Sequence, residues 1–252
     1  MNKIKSITRM RLFLPIFSMI LVMLINVIYD ISCGNPAFSF FQIGITNNIL
    51  FGRLIDVLNR GSEVAILAIG MTLVVSSSAG TDISVGSVMS LTGGMCCMLL
   101  AGYGVTNVSE YKVPLAVGLL AGLLVAVICG LFNGFLVAYM NIQPMVATLI
   151  LWSAGRAIGL LLCNSAIVYV RVPSFQFLGG YCGILPTPII AAAVCVAIAA
   201  LVLRFTALGT FVQAVGINKK AARISGFNSS KIILITYAIC GLCAGIAGLV
   251  NT

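Results

Sequence analysis

The chain has 252 residues, 61% of them hydrophobic and 8% charged, with a net charge of +9 and a mean hydropathy of +1.17. A water-soluble domain of this composition would expose large apolar patches, which excludes that class. A transmembrane barrel is excluded as well, because the apolar runs last about 18 to 25 residues without the alternation that barrel strands require. What remains is an all-α, polytopic transmembrane helical bundle.

Seven spans are expected in chain order, at about 12–29, 55–78, 84–103, 113–139, 145–163, 186–204 and 232–250. The first is too long, and too poorly followed by small residues, to read as a cleaved signal peptide. The positive charge collects beside spans: Lys3, Lys5, Arg9 and Arg11 at the start, then Arg204, Lys219, Lys220, Arg223 and Lys231. In a soluble protein such a charge would suggest nucleic acid. Here membrane topology and anionic lipid account for it, so the bilayer and not nucleic acid is the partner implied. With the N-terminus inside, alternate crossing places the turns near 79–83 and 140–144 and the long segment 205–231 in the cytoplasm. The loops 30–54, 104–112 and 164–185 fall outside with only Arg53, Lys112 and Arg171, against the nine cations just named on the inside.

The fourth span carries small residues at every fourth position: Gly118, Gly122, Ala126, Gly130, Gly134 and Ala138. Such a ladder lets a second helix backbone approach closely, so this span is expected to be central. A shorter ladder, Gly86, Ser90 and Gly94, runs along the third span. The nine cysteines lie mostly inside apolar runs and no histidine accompanies them, so Cys240 and Cys243 read as packing residues and no metal or cofactor is implied. Gly-x4-Gly-Lys-Ser/Thr is absent, so the chain does not cradle nucleotide phosphates in that way and energy for any pumping must come from elsewhere. An intramembrane enzyme finds no nucleophile with an evident base.

Polar groups near span ends need a reason, because intramembrane ionisable side chains are costly. Arg60 and Glu63, three residues apart, are expected to pair on one helix face. Asp82 and Ser84, in Gly80-Thr81-Asp82-Ile83-Ser84-Val85-Gly86, are placed to cap the following helix, with ligand contact by Asp82 as the alternative. Asn133 and Gln143 carry amides suited either to sugar hydroxyls or to backbone groups, and Pro144 suits a first helical turn. Thr148, Trp152 and Arg156 follow at four-residue steps and form a candidate pathway lining for a neutral polyhydroxylated solute, the alternative being helix packing. These six, Asp82, Asn133, Gln143, Thr148, Trp152 and Arg156, are the candidate substrate-pathway residues.

Between the sixth and seventh spans lies Val215-Gly216-Ile217-Asn218-Lys219-Lys220-Ala221-Ala222-Arg223-Ile224-Ser225-Gly226. Asn218 suits an N-cap and Gly226 a left-handed C-terminal turn, so the stretch predicts a helix of about two turns. A capped rigid helix outside the bilayer is a surface that a soluble partner can push. The alternative is an ordinary loop with retention charges.

Several stretches resemble the membrane permease subunits of bacterial ABC importers for monosaccharides, the group holding the ribose, arabinose, xylose and galactofuranose permeases. They are Leu67-Ala68-Ile69-Gly70-Met71-Thr72-Leu73-Val74, the Gly80 to Met89 loop, Gly130-Leu131-Phe132-Asn133-Gly134-Phe135-Leu136-Val137 and Ile142-Gln143-Pro144-Met145-Val146-Ala147-Thr148-Leu149. Thr206-Ala207-Leu208-Gly209, Ala214 through Gly226, and Gly241 through Gly248 follow in the family's order. Phe51 to Arg60 and Ala214 to Asn218 look most like the galactofuranose branch. The resemblance implies one transmembrane permease domain of ten spans, of which residues 1–252 would supply about seven, leaving that domain C-terminally incomplete. It implies a second permease subunit, as a homo- or heterodimer, a periplasmic sugar-binding protein and a cytoplasmic ABC ATPase, in the bacterial inner membrane. The permease itself would not be an enzyme. Segment 205–231 would be the coupling loop, with Gly216, Asn218, Lys219, Ala221, Ala222, Arg223 and Gly226 facing the ATPase. Ser78-Ala79-Gly80-Thr81 departs from the glycine-rich sequence usual there. The rival expectations are an ion-coupled secondary transporter, for which the spans hold few acids, and an inactive fragment of a permease.

Overall fold

The computed structural model describes residues 13–33, 41–46 and 49–251. The N-terminal cations Lys3, Lys5, Arg9 and Arg11, and the start of the first expected span, lie outside the described residues. The protein divides into two compact units, residues 1–58 and 59–252.

The first unit contains helix α1 (Phe13–Ser32) and an antiparallel hairpin of β1 (Gly44–Thr46) and β2 (Ile49–Phe51), in register Gly44↔Phe51, Ile45↔Leu50 and Thr46↔Ile49. Asp30 is fully buried, and Arg53 donates to its Oδ1 at 2.8 Å. A buried carboxylate without such a partner would be strongly disfavoured, so the pair fixes the end of α1 to this hairpin region.

The second unit is a bundle of α2 (Arg53–Ser78, mostly within it), α3 (Val85–Ala101), α4 (Leu115–Ala138), α5 (Pro144–Leu162), α7 (Thr187–Phe205) and α10 (Ser229–Val250). Pro144 opens α5 at the position where a missing N–H costs nothing. Every expected span has its helix, with ends within three residues of those read from the apolar runs, but the third helix is short. There α3 has 17 residues, about 26 Å by the helical rise. Among the described residues, six helices are long and apolar enough to cross a membrane. α3 is instead enclosed by α4, α5 and α10.

At one end of the bundle, β3 (Asn107–Val108) pairs in parallel with β4 (Tyr169–Val170), and α6 (Pro173–Gly179) and the β5 (Tyr181–Cys182)/β6 (Leu185–Pro186) hairpin complete the loops. Phe175 of α6 closes that end over Cys96, Leu100 and Leu249. At the other end two helices, α8 (Leu208–Ile217) and α9 (Lys219–Ile224), precede α10.

The small-residue ladder of α4 is buried along its whole length, but it serves two neighbours. A Cβ at Gly118 or Gly122 would meet Leu100 or Thr92 of α3, whereas one at Gly130 would strike the Tyr237 carbonyl of α10. Gly241 of α10 faces back onto the Ala126 carbonyl and Gly130. The central helix is nevertheless α10: 61% of its most apolar stretch is buried, against 22% for α4, whose far face is exposed. A ladder reports one close-packed face; enclosure needs neighbours on all sides.

Two further expectations change. Arg60 and Glu63 form no ion pair, and among the described residues the ion pair is Arg53–Asp30. Arg60 is exposed, so solvent offsets what pairing would gain. The Gly86, Ser90 and Gly94 ladder lines an open cleft of about 430 Å³ together with Met89, Gly159 and Cys163, while the tight α3–α5 contact runs through Ser87 to Gly155 and Gly94 to Gly159. Cys240 and Cys243 pack on Gly70 of α2, where an added Cβ would lie 2.8 Å from the Cys240 Cα.

Candidate functional site

α9 is held by its own caps. Asn218 is extended, and its Oδ1 accepts from the backbone N–H groups of Lys220 at 3.0 Å and Ala221 at 3.1 Å. Gly226 closes the helix at φ +88°, with its N–H donating to the Arg223 carbonyl at 3.1 Å and Phe227 N–H to that of Ala222 at 3.0 Å. The helix read from Asn218 to Gly226 is present. Helix α8, immediately before it, was not legible from the sequence, because its ten residues look like a continuation of loop 205–231.

The two helices form a corner seated on the bundle by a shared apolar core. Val212 and Val215 of α8 and Ala222 of α9 are buried with Val74, Ala147, Ile233 and Tyr237, and the Phe211 and Phe227 rings lie 4.7 Å apart. Gly216 abuts the Ser76 carbonyl at the end of α2, where a Cβ would collide. The expected coupling residues therefore divide by job. Gly216 and Ala222 face the bundle, Asn218 and Gly226 shape the corner, and Lys219, Lys220, Ala221 and Arg223 face outward. The three cations also line a cleft of about 380 Å³ with Asn141, Asn228 and Ser229.

Two residues at this corner were missed. Ile217 and Ile224 are 87% and 88% exposed. Large apolar side chains this bare, beside three cations at the bundle's end, mark a surface suited to a protein partner. Ile217 ends α8 and Ile224 ends α9, on either side of the extended Asn218, so no helical spacing in the sequence signalled them.

The six pathway candidates separate into two groups. Asp82, Asn133 and Thr148 converge, all nearly inaccessible. Asp82 Oδ1 accepts from the backbone N–H of Ser84 at 2.8 Å and from its hydroxyl at 2.7 Å. Asn133 Nδ2 of α4 donates to the same hydroxyl at 2.8 Å. From α5, Thr148 Oγ1 accepts from the Ile83 N–H at 3.1 Å, and Gly80 sits against the Pro144 ring. Neither Asp82 nor Ser84 caps α3 through its side chain. Asp82 instead folds its own turn, an Asx turn, and the turn is bolted to α4 and α5. Burial pushes the Asp82 carboxyl above its ordinary range, with hydrogen bonds from Ser84 and Asn133 opposing the rise.

Gln143, Trp152 and Arg156 do not join this cluster. Gln143 precedes α5, and its side chain makes no hydrogen bond to the first turn. Trp152 is 43% exposed and Arg156 is exposed. The buried face of α5 runs through Ala147, Thr148, Leu151, Gly155 and Gly159. Steps of four drift by about 40° each along a helix, so the Thr148–Trp152–Arg156 stripe leaves the bundle after one turn. The Trp152 carbonyl does take part, accepting from Ser87 Oγ at 2.7 Å.

Replacing Thr148 by valine keeps the volume and removes the acceptor for the Ile83 N–H. An orphaned buried donor costs about 1–3 kcal/mol. The variant is expected to melt measurably lower than the parent in thermal denaturation, with α-helix content retained before the transition.

Residues 53–252 match the family described as branched-chain amino acid transport system / permease component. The sequence is 42% identical to the galactofuranose transporter permease protein of Escherichia coli (strain K12) over 212 residues, 84% of this chain and 59% of that protein. It is 36% identical to the fructose import permease protein of Bifidobacterium longum over 208 residues, 81% of this chain and 56% of that one. It is 32% identical to the ribose import permease protein of Escherichia coli (strain K12) over 210 residues, 81% and 62% respectively. The chain thus spans about three fifths of the length of these curated relatives. No solved structure matches.

Proposed function

Because the chain belongs to the family of branched-chain amino acid transport system permease components, we propose that it is membrane-spanning permease sequence of an ATP-driven importer whose cargo is a monosaccharide. The relatives named above carry sugars by name, and galactofuranose-like or pentose cargo follows from the higher identity to the galactofuranose protein and from the ribose permease. None of those three is named an ion-coupled carrier. The partners of this reading are a cytoplasmic ABC ATPase, a periplasmic sugar-binding protein and a second permease subunit. The location is the bacterial inner membrane with the N-terminus in the cytoplasm, which puts the α8–α9 corner on the ATPase side.

The observation that carries the reading is the corner itself: doubly capped, seated through Val212, Val215 and Ala222, and bearing Ile217, Ile224 and three cations outward. A push on α9 reaches α2 through the Gly216–Ser76 contact and α10 through the apolar core. The end of α2 continues into the Asp82 turn, which Asn133 and Thr148 tie to α4 and α5. Four helix ends therefore move as one body. Packed interfaces of this kind convert a local displacement into a rigid shift of the spans, which alternating access requires.

Arg223→Glu in the full-length permease assembled with its ATPase is the direct test. Reversing one docking charge is expected to lower sugar uptake about tenfold, the factor that 1.4 kcal/mol supplies, while the ATPase continues to hydrolyse ATP. Uptake at the parent rate would remove α9 as the point of force transfer.

A further inference from the structure

Three cations crowd one cleft with no acid to balance them. Lys219, Lys220 and Arg223 fall within about 100° of one another around α9, by the pitch of a helix. All three line the cleft of about 380 Å³ between α9, the end of α4 and the start of α10. The chain has five acidic residues, Asp30, Asp56, Glu63, Asp82 and Glu110, and none of them lines this cleft. Among the described residues the ion pair is Arg53–Asp30, so these three cations are left without a carboxylate there. Their placement also works against the helix that bears them. Lys219 and Lys220 occupy its first two positions, where the aligned peptide dipoles already leave partial positive charge. Lys219 and Arg223 stand four residues apart, the spacing at which like charges repel across one turn. Holding the loop on one side of the membrane needs cations near the span ends, but not on one face of a six-residue helix. An anion in the cleft offsets both repulsions.

The walls of the cleft are fixed and its depth is set. The Ser229 hydroxyl of α10 donates to the Lys219 carbonyl at 3.2 Å, and the Phe227 N–H to the Ala222 carbonyl at 3.0 Å, which fastens α9 to the start of α10. α4 has 24 residues and α10 has 22. By the helical rise these are about 36 and 33 Å long, each more than the roughly 30 Å of a bilayer's hydrocarbon core. The adjoining ends of the two spans therefore lie at headgroup depth. Tyr139, at the end of α4, and Phe135 one turn before it are exposed, with their rings stacked 5.6 Å apart, the amphipathic aromatic placement of a membrane interface. The cleft has two kinds of wall: Val137, Ala138 and Ile233 are apolar and buried, whereas Asn141, Ser230 and the cations are polar. A free anion uses only the polar wall, and an anionic amphiphile uses both.

We propose that this cleft binds the phosphate of an anionic phospholipid from the leaflet on the α8–α9 side. Lys219, Lys220 and Arg223 meet the phosphate oxygens, Arg223 with paired N–H donors from one planar fork. Asn141 and Ser230 supply further donors from the opposite walls. The glycerol and the first methylenes lie against Val137, Ala138 and Ile233. Because α4, α9 and α10 all contribute to the cleft, a bound headgroup ties the corner to two spans. Ile217 and Ile224 do not line it and stay available to a protein partner. The site depends neither on the cargo nor on the ATPase of the transport reading, and goes beyond it.

The full chain in nanodiscs of phosphatidylcholine, with and without phosphatidylglycerol, tests the site. No ATPase is present, so the result is separable from the uptake measured for Arg223→Glu. Phosphatidylglycerol is expected to slow acylation of the Lys219 and Lys220 amines severalfold, and to slow that of Lys112, in the loop after β3 at the opposite end of the bundle, far less. It is also expected to raise the melting temperature of the parent. The triple variant Lys219→Gln, Lys220→Gln, Arg223→Gln should lose that rise, whereas Arg204→Gln, at the end of α7 and outside the cleft, should keep it. Equal slowing at all three lysines would reflect surface potential alone and overturn the site, as would a rise that the triple variant retains. The same protection from inorganic phosphate in phosphatidylcholine discs, at constant ionic strength, would make the ligand a free anion and overturn the lipid assignment. Protection that appears only when an ABC ATPase is added would give the cations to an acidic protein surface, and would also overturn it. Should the triple variant fail to fold, acylation of the parent decides, because it needs no substitution.

Discussion

Gly241→Val is expected to abolish the folded bundle, whereas Gly86→Ala is expected to leave it intact. At Gly241 an added Cβ would strike the Ala126 carbonyl and lie 3.0 Å from the Gly130 Cα. These are backbone atoms of α4, and a helix backbone cannot rotate out of the way as a side-chain tip can. The pair must separate, and α10 is the helix on which α4, α3 and the α8–α9 corner all depend. Overpacking a well-packed core costs about 1–3 kcal/mol where side chains can adjust, and more where they cannot. At Gly86 the same Cβ meets nothing within 4 Å. Gly86 belongs to a small-residue ladder and Gly241 packs against one, so size-exclusion profiles and melting curves of the two variants separate interface from spacing. Equal behaviour would mean that the α4–α10 contact is looser than described.

Gly226→Pro carries the second large effect, on coupling rather than folding. Gly226 has φ +88°, a region closed to proline, whose ring holds φ near −65°. The substitution also removes the N–H that donates to the Arg223 carbonyl. A misfit of both kinds costs about 3 kcal/mol. That cost falls on α9 and on the Phe211–Phe227 contact, because the spans have their own packing. On the function proposed above, uptake by the permease assembled with an ABC ATPase is expected to fall at least tenfold while the permease still reaches the membrane. Gly226→Asn is expected to retain most uptake, since asparagine tolerates the left-handed region. Loss in both variants would point to glycine's size, and loss in neither would separate α9 from coupling.

Much of this was legible in the sequence because it is set locally. In a bilayer each span must satisfy its own backbone and be apolar over its length, so α1, α2, α4, α5, α7 and α10 stand in the hydropathy alone. The caps of α9 are equally local: Asn218 bonds amides two and three residues on, and Gly226 supplies a conformation that its own lack of Cβ permits.

What the sequence left open depends on which surfaces meet, and spacing carries no information about that. Thr148, Trp152 and Arg156 share one nominal stripe, yet Thr148 is bolted to the Asp82 turn while Trp152 and Arg156 face out. Gly130 and Gly86 look alike until α10 is found against one and an open cleft beside the other. The Arg60–Glu63 pair gave way to Arg53–Asp30, where burial makes pairing compulsory. Periodicity and capping thus determined the helices and the corner. Only the tertiary structure decided that α10 is the enclosed span, that Asp82, Ser84 and Asn133 form one latch, and that Ile217 and Ile224 are left bare. Burial and partner geometry are properties of assembled faces, and no residue specifies its neighbour's face alone.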